Sequence, residues 1–188
     1  MNATLDHLHR LYAHTDDPWN FANSAYEQGK FIATRGALMR GQYRSALEIG
    51  CGNGALAQHL APVCQRYSGV DAIERAIVAA RKRVPASAFH LGCYPCPLPG
   101  TGFDLVILSE VLYFLTPDTI AQLARDITRC APDAEVLCIT FLGDTEQSLQ
   151  GIEALEVFKV GVQPHLALKP VVDTGRYRID RGMMEGAA

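Results

Sequence analysis

The chain has 188 residues, of which 48% are hydrophobic and 20% are charged, values typical of one soluble globular domain with a sizeable core. Its formal net charge is −3 at pH 7 and it contains no basic stripe, which disfavours a nucleic-acid partner. The first residues carry acids and histidines where a signal peptide needs an apolar run, and no stretch approaches the roughly 20 apolar residues of a membrane span, so we expect a cytoplasmic protein with no membrane partner.

The first 40 residues are predicted to form a helical cap on a single domain that spans residues 1–188. Residues 3–13 have the apolar spacing of a short helix, which Pro18 and the two aspartates before it end. Residues 20–40 form a second predicted helix. Residues 41–188 then supply the core of the domain.

From residue 41 onward, short apolar strands alternate with helices. The predicted strands cover residues 45–49, 66–70, 88–91, 103–108 and 135–141, and the predicted helices cover residues 53–60, 74–83, 117–130 and 145–160. Such alternation predicts parallel strand–helix–strand units and an open sheet that is covered by helices on both faces. Residues 165–172 and 176–179, which are separated by an Asp-Thr-Gly turn, predict a terminal hairpin.

A glycine-rich loop follows the first predicted strand. Glu48 precedes it, and Gly50, Cys51, Gly52 and Gly54 are its expected cofactor contacts, because alternate glycines let the backbone turn sharply and approach a ligand closely. A dinucleotide site prefers the spacing GxGxxG, which seats a pyrophosphate at the helix N-terminus. S-adenosylmethionine (SAM) has no phosphate but carries an ammonium and a sulfonium, which suit a GxGxG loop preceded by an acid. The loop therefore predicts SAM as the cofactor.

Ligands of an open parallel sheet lie at the carboxyl ends of its strands, so residues at those ends are expected to complete the cofactor site. Asp71 ends the second strand, and its carboxylate is suited to accept hydrogen bonds from both ribose hydroxyls. The other expected cofactor contacts at strand ends are Ala72, Gly92, Cys93 and Ser109. Cys93 also pairs in sequence with Cys96, but no second pair or histidine lies at a zinc-ligand spacing, so no metal site is predicted.

The aromatic segment at residues 17–21 is expected to contact the cofactor from the cap. Trp19 and its neighbours could close over the cofactor and exclude water. An aromatic ring also attracts a sulfonium, by about 0.5–2 kcal/mol. Lys30 could neutralise the carboxylate of the cofactor. The alternatives are that the aromatic residues only pack the cap against the sheet and that Lys30 is a surface lysine.

Catalysis of methyl transfer chiefly requires that donor and acceptor be positioned for an in-line displacement. An amine acceptor must also be neutral to attack, so a carboxylate that binds its ammonium form and accepts a proton assists the reaction. Glu110, just beyond the fourth strand, is the first candidate for this role, and Tyr113 is expected to hydrogen-bond the acceptor. The structural alternatives are an acid that caps a loop and a tyrosine that only packs.

Three segments resemble those of class I SAM-dependent methyltransferases, and within that class the chain is similar to the nodulation protein S family. They are residues 17–30 (DPWNFANSAYEQGK), 46–54 (ALEIGCGNG) and 103–115 (FDLVILSEVLYFL), and the ending YRID at 177–180 is similar as well. The resemblance implies a Rossmann-like α/β fold, with a seven-stranded, mostly parallel sheet, helices on both faces and a C-terminal antiparallel hairpin. It also implies SAM as methyl donor and S-adenosylhomocysteine as product.

For function, the resemblance implies N-methylation of a small amine, such as an amino sugar or a deacetylated chitooligosaccharide. Two alternatives stay open: O-methylation of a small hydroxylated metabolite, and SAM binding without catalysis. The chain departs from the class pattern after the third strand, where many members have an aspartate for the adenine amino group and this chain has Gly92 and Cys93. Backbone groups near these two residues are expected to replace it, and the sequence is compatible with both a monomer and a dimer.

Overall fold

The computed structural model describes residues 3–185. Its α-helices are α1 (Ala3–Leu11), α2 (Ala25–Gly36), α3 (Ala55–Leu60), α4 (Glu74–Arg83), α5 (Pro117–Cys130) and α6 (Gly151–Val162). Its strands are β1 (Tyr43–Ile49), β2 (Cys64–Asp71), β3 (Ala88–Leu91), β4 (Leu105–Ser109), β5 (Glu135–Phe141), β6 (Lys169–Asp173) and β7 (Tyr177–Met183). Within the described range, no helix has the length and apolar character needed to cross a membrane.

All seven strands form one sheet, in the order β3-β2-β1-β4-β5-β7-β6. The strands from β1 to β5 pair in parallel, whereas β7 pairs antiparallel with both β5 and β6. Ile49 is in register with Val70 on one side and with Leu108 on the other, so the carboxyl ends of β1, β2 and β4 meet where the strand order reverses. The predicted Rossmann-like sheet and its terminal hairpin are confirmed, and ligands of such sheets bind in this crevice.

Helices cover both faces of the sheet because its central strands are apolar on both sides. Alternate residues of β4 enter two different core layers, since successive side chains of a strand point to opposite faces. Leu105 and Ile107 pack in the layer that includes residues of α2 and α3, whereas Val106 and Leu108 pack in the layer of α5 and α6. All four side chains are almost fully buried. The end of β4 is therefore held firmly beside the crevice.

Helix α2 begins at Ala25, whereas the sequence predicted a helix from residue 20. The carboxylate of Asp17 accepts a hydrogen bond of 2.7 Å from the backbone N–H of Phe21, which folds this segment into turns instead of a helix. The hydroxyl of Ser24 then caps α2 by accepting a hydrogen bond from a backbone N–H of its first turn. The prediction was wrong here because helical spacing of apolar residues does not reveal a competing side-chain hydrogen bond.

Helix α6 begins at Gly151, whereas the sequence predicted a helix from residue 145. Gln150 and Glu153 form a capping box, in which the Glu153 carboxylate accepts a hydrogen bond of 2.8 Å from the Gln150 backbone N–H. The reciprocal bond runs from the backbone N–H of residue 153 to the Gln150 side chain. This pair of bonds fixes the start of the helix and leaves residues 145–149 in turns next to the crevice.

Candidate active site

A cleft of about 280 Å³ lies at the crevice of the sheet, where the loops after β1, β2 and β4 meet helices α1 and α2. Small-molecule sites are commonly about 300–1,000 Å³, so this volume is near the lower end of that range. Four of the predicted site residues, Gly54, Ala72, Gly92 and Cys93, lie outside the lining of the cleft. The structure brings the others together in that lining: Trp19, Lys30, Glu48, Gly50, Cys51, Gly52, Asp71, Ser109, Glu110 and Tyr113.

The glycine loop after β1 lines one side of the cleft. Gly50, Gly52 and Gly54 have φ values of +81°, +49° and +77°, which residues with a side chain rarely adopt. A Cβ on Gly50 would lie 2.8 Å from the carbonyl oxygen of Ser109, so the loop lies directly against the end of β4. Gly52 faces the cleft, because the atom nearest to its missing Cβ is the hydroxyl oxygen of Tyr12, at 3.6 Å. The absence of side chains thus brings the backbone close to any ligand.

Gly54 serves the packing of the loop, because a Cβ there would lie 3.0 Å from the Cα of Ala80 in α4. We expect Gly54→Ala to lower the free energy of unfolding by about 1–3 kcal/mol, since it adds this contact to a strained backbone conformation. Urea denaturation followed by circular dichroism measures the change. Gly41→Ala is the matched control, because no atom lies within 4 Å of its Cβ position, and it should change stability by less than about 0.5 kcal/mol. Equal effects of the two substitutions would contradict this account.

Asp71 is fixed at the edge of the cleft by backbone hydrogen bonds. Its Oδ2 accepts one of 2.8 Å from the N–H of Gly52, and its Oδ1 accepts one of 3.0 Å from the N–H of Ile73. Burial raises the pKa of this carboxyl, and the N–H groups of Ile73, Gly52 and Ala72 oppose that rise. Ala72 thus acts on the site through Asp71, and the acid and the glycine loop form one unit.

Glu48 lies at the bottom of the cleft and is fully buried in β1. Its Oε2 accepts a hydrogen bond of 2.8 Å from the Tyr67 hydroxyl, whereas its Oε1 has no hydrogen-bond partner among the residues that the structure describes. Burial raises the pKa of Glu48 to about 8, although the side chains of Tyr67 and Ser109 oppose the rise. A buried carboxyl oxygen that lacks a donor fits a cationic group of a ligand.

Glu110 follows β4 with a φ of +50°, in the left-handed region that non-glycine residues seldom occupy. Its backbone N–H donates a hydrogen bond of 3.0 Å to the carbonyl of Ile139, which extends the pairing of β4 with β5 by one residue. Such a conformation costs on the order of 1–3 kcal/mol and is often found at functional sites. Here it accompanies a side chain that lines the cleft.

Lys30 joins Glu110 to the cap. Its Nζ lies 2.7 Å from Oε2 of Glu110 and 2.8 Å from a carboxylate oxygen of Glu27, and its side chain is only 4% exposed. Burial opposes the charge on Lys30, but the two carboxylates outweigh this effect and raise its pKa. The sequence assigned Lys30 to the cofactor carboxylate, whereas the structure pairs its ammonium with two acids of the protein. The sequence did not identify Glu27 as a site residue. The one feature that could have indicated it is its position one helical turn before Lys30.

Two tyrosines adjoin this ion-pair cluster. The hydroxyl of Tyr26 is buried and has no hydrogen-bond partner among the described residues, and the guanidinium of Arg176 lies 3.9 Å from the centre of its ring. Tyr113 is partly buried and packs against Phe114, with ring centres 4.6 Å apart. Burial raises the pKa of both tyrosine hydroxyls, so both are neutral near pH 7.

Trp19 lies at the rim of the cleft, and its side chain is 41% exposed. Its ring packs against those of Tyr12 and Phe21, each at a centre-to-centre distance of 5.6 Å, and Phe21 packs on Phe31 of α2 at 5.8 Å. This aromatic row connects the segment between the two cap helices to both of them. Trp19 therefore packs the cap and lines the cleft at the same time.

The loop after β3 lies outside the cleft lining. The backbone N–H of Gly92 donates to the carbonyl of Asp71 at 2.9 Å, and a Cβ on Gly92 would lie 2.8 Å from Sγ of Cys96. Cys93 is exposed to solvent. Within residues 3–185, no three His, Cys, Asp or Glu side chains are grouped so as to hold a metal ion.

Helix α1 lines the cleft on the side of Asp71, which sequence reasoning did not anticipate. Leu8 and Tyr12 pack there against Ile73 and Ala76, next to the end of β2. The apolar spacing within residues 3–13 indicates that α1 packs against another part of the protein. It does not indicate that this part is the end of β2. The α1 residues that line the cleft are His7, Leu8 and Leu11, joined by Tyr12 just after the helix.

Proteins of known structure share this fold over nearly the whole chain. One is a crystal structure of N-methyltransferase NodS from Bradyrhizobium japonicum in complex with S-adenosyl-L-homocysteine, with a TM-score of 0.79 and 22% identity over 98% of this chain and 99% of that chain. Another is a TehB-like SAM-dependent methyltransferase from Corynebacterium glutamicum, with a TM-score of 0.67 and 18% identity over 97% of this chain and 99% of that chain. At such identities the likeness establishes the fold.

The sheet order, the glycine loop and the acid after β2, together with family membership, define the chain as a class I SAM-dependent methyltransferase. It belongs to the Nodulation protein S (NodS) family, which matches residues 2–135. Nodulation protein S of Bradyrhizobium diazoefficiens is 33% identical over 144 residues, which cover 71% of this chain and 68% of that protein. The Sinorhizobium fredii protein is 36% identical over 113 residues, which cover 57% and 51%. The matches thus span between half and about two thirds of these relatives.

Proposed function

We propose that this protein transfers the methyl group of SAM to the amine of a small acceptor such as an amino sugar. The observation that carries the proposal is Glu110: its Oε1 is buried without a hydrogen-bond partner among the described residues, while its Oε2 binds Lys30. A buried carboxylate oxygen without a donor is unfavourable unless a ligand supplies one. An ammonium group is the donor that best satisfies it, because it also brings the opposite charge.

The charge of the cleft supports a cationic cofactor and an acceptor that binds as an ammonium. Carboxylates lining one cleft attract cations and raise their local concentration. Among the described residues, Lys30 is the only lysine or arginine that lines the cleft, and Glu27 and Glu110 already bind it. The acidic side chains of the lining are Glu27, Glu48, Asp71, Glu110 and Asp144.

The residues around the glycine loop fit SAM. We assign the ribose hydroxyls to the carboxylate of Asp71 and the ammonium of the methionine part to the unpartnered oxygen of Glu48. The backbone of Gly50, Cys51 and Gly52 would then lie against the cofactor. When bound, SAM supplies a methyl group on a sulfonium, which is already a good leaving group.

Two further predicted contacts support this cofactor assignment. Ser109 lines the cleft at the end of β4, and its side chain favours the ionised form of Glu48, which suits a cationic cofactor. Trp19 lines the rim, and we propose that it and the other aromatic residues of the cap shield the reacting atoms from water. The cap would thereby strengthen the electrostatic contacts inside the cleft.

Glu110 is the group of this chain that binds the acceptor and receives its proton. Burial raises its pKa despite the opposing charge of Lys30, which makes the ionised carboxylate a stronger base. Once the amine is neutral, its lone pair forms the new N–C bond while the C–S bond breaks, and the proton leaves through Glu110. Tyr113 also lines the cleft, and we propose that its hydroxyl hydrogen-bonds the acceptor.

The relatives support an amine acceptor. The family is that of nodulation protein S, and the similar structure from Bradyrhizobium japonicum is an N-methyltransferase.

The proposal is tested by following the transfer of tritium from methyl-labelled SAM to a panel of glucosamine oligomers, simple amines and phenols. We expect labelled product with amines, at a rate that rises with pH as more of the acceptor becomes neutral. Transfer to phenols alone would overturn the proposal in favour of an O-methyltransferase. Calorimetric binding of SAM without transfer to any acceptor would instead indicate a binding protein that lacks catalysis.

A further inference from the structure

We infer that Lys30, anchored by Glu27, is a positioning residue that holds one oxygen of Glu110 and leaves the other for the methyl acceptor. The inference rests on the proposed function, because it takes Glu110 as the group that contacts the acceptor. It assigns Glu27 a role in the reaction and replaces the expected contact between Lys30 and the cofactor carboxylate.

The geometry separates the two ion pairs of Lys30. Glu27 is on the same helix, one turn before Lys30, so this pair does not depend on the packing of α2 against the end of β4. The pair with Glu110 instead joins α2 to the loop after β4. It uses Oε2 of Glu110, which leaves Oε1 buried and without a hydrogen-bond partner in the described part of the chain.

The charges of the cluster explain how it would bind an acceptor. Two carboxylates and one ammonium leave a formal charge of −1, which a bound ammonium would neutralise. Without Lys30, the two largely buried carboxylates would repel each other, which would make Glu110 easier to protonate. Without Glu27, the positive charge of Lys30 would be balanced by the negative charge of Glu110. The cluster would then carry no net negative charge to attract the ammonium form of the acceptor.

No other described group in contact with Glu110 carries a positive charge that could hold its carboxylate in place. Tyr113, from the turn after β4, and Tyr26, from α2, face the cluster, but both hydroxyls are neutral because burial raises their pKa values. Arg176, from the turn before β7, covers the ring of Tyr26. Lys30 is therefore the cation in direct contact with Glu110 among the described residues. A role for Lys30 at the cofactor carboxylate would require it to leave both acids, although its side chain is nearly fully buried.

The test compares Lys30→Met, Lys30→Arg and Glu27→Gln by carbon-13 NMR titration of the ligand-free protein, with the Glu110 carboxyl assigned through Glu110→Gln. The Lys30 ammonium lowers the pKa of Glu110 and the Glu27 carboxylate raises it. The titration midpoint of Glu110 should therefore move to higher pH in Lys30→Met and to lower pH in Glu27→Gln. Lys30→Arg keeps the positive charge, so its midpoint should lie closer to that of the wild type than the midpoint of Lys30→Met does.

The same variants make a matching kinetic prediction. The acid limb of the kcat/KM profile should follow the midpoint of Glu110, so Lys30→Met should lose on the order of tenfold more activity at pH 6 than at pH 8. Glu27→Gln should raise the KM for the amine at both pH values. The Kd of SAM, measured by calorimetry, should stay near that of the wild type in every variant.

Lys159→Met is the matched control, because Lys159 also bridges an acid one helical turn before it, Glu156, and a buried acid on another element, Asp180. It lies outside the cleft lining and should leave the midpoint of Glu110 and the pH profile unchanged. Shifts of opposite sign in Lys30→Met and Glu27→Gln cannot come from a general loss of stability.

Three results would overturn the inference. One is a Glu110 midpoint that does not move in folded Lys30→Met, and another is a shift in the same direction in Glu27→Gln. A third is a loss of SAM affinity in Lys30→Met with an unchanged midpoint, which would return Lys30 to the cofactor carboxylate. If the wild type methylates only phenols, the proposed function fails, whereas the titration still decides whether Lys30 controls Glu110.

Discussion

Glu110→Gln is expected to lower kcat about 100-fold or more, because an amide neither binds an ammonium through charge nor accepts its proton. The amide keeps the size of the side chain, so the cleft should keep its shape. SAM should therefore bind with nearly the affinity that it has for the wild type, as measured by calorimetry. Turnover is measured by labelled methyl transfer to the amine of the panel that gives the highest rate.

Glu146→Gln is the matched control for this substitution. Glu146 is also a glutamate with a positive φ, of 54°, but it is exposed and lies outside the cleft lining. The same change there should leave kcat unaltered. Full turnover in folded Glu110→Gln would contradict the assigned role and would make Glu110 a structural acid whose partner is Lys30.

The backbone of Glu110 links the fold to this expectation. Residues 105–108 of β4 are buried and pair with both β1 and β5, but Glu110 leaves the strand in a left-handed conformation while its N–H still bonds to Ile139 of β5. Most residues would avoid this conformation, and only the ion pair with Lys30 offsets part of its cost among the described side-chain contacts of Glu110. The cost is consistent with selection for a carboxylate at this point of the crevice.

The sequence could predict the sheet because its signals are local. The continuous apolar run of β4 and the helices between the strands indicate a parallel sheet whatever the remaining chain does. Gly50 and Gly52 could likewise be assigned to a tight loop, since glycine adopts positive φ values without steric cost. Asp71 followed from the position of the loop, because β1 and β2 end at the same edge of the sheet.

The ion-pair cluster could not be predicted, because it depends on distant parts of the chain. Lys30 and Glu110 come together only when α2 packs beside the end of β4, and spacing along the sequence does not encode that contact. The same packing brings Glu27 close to Glu110, because both acids contact Lys30. The start of α2 was missed for a related reason, since the carboxylate of Asp17 competes for backbone N–H groups that a helix would otherwise use.

Asp71→Ala should weaken SAM binding by about 1–3 kcal/mol, or roughly 5- to 150-fold in Kd, because the ribose hydroxyls lose their acceptor. The structure adds a second reason. Asp71 also holds the N–H of Gly52 at 2.8 Å, so its removal frees the part of the glycine loop that faces the cleft. Calorimetric titration with SAM gives the affinity, and thermal unfolding followed by circular dichroism shows whether the variant is folded.

Asp173→Ala is the matched control, because Asp173 likewise accepts a hydrogen bond from a glycine N–H, that of Gly175 at 2.9 Å, but in the exposed turn between β6 and β7. It should leave the Kd of SAM unchanged. Asp71→Asn separates the two contributions, because its amide oxygen can still accept from Gly52 while the charge is lost. Wild-type affinity in folded Asp71→Ala would contradict the assignment of the ribose to this acid, and affinity lost in the alanine variant but kept in the asparagine variant would trace the effect to the loop.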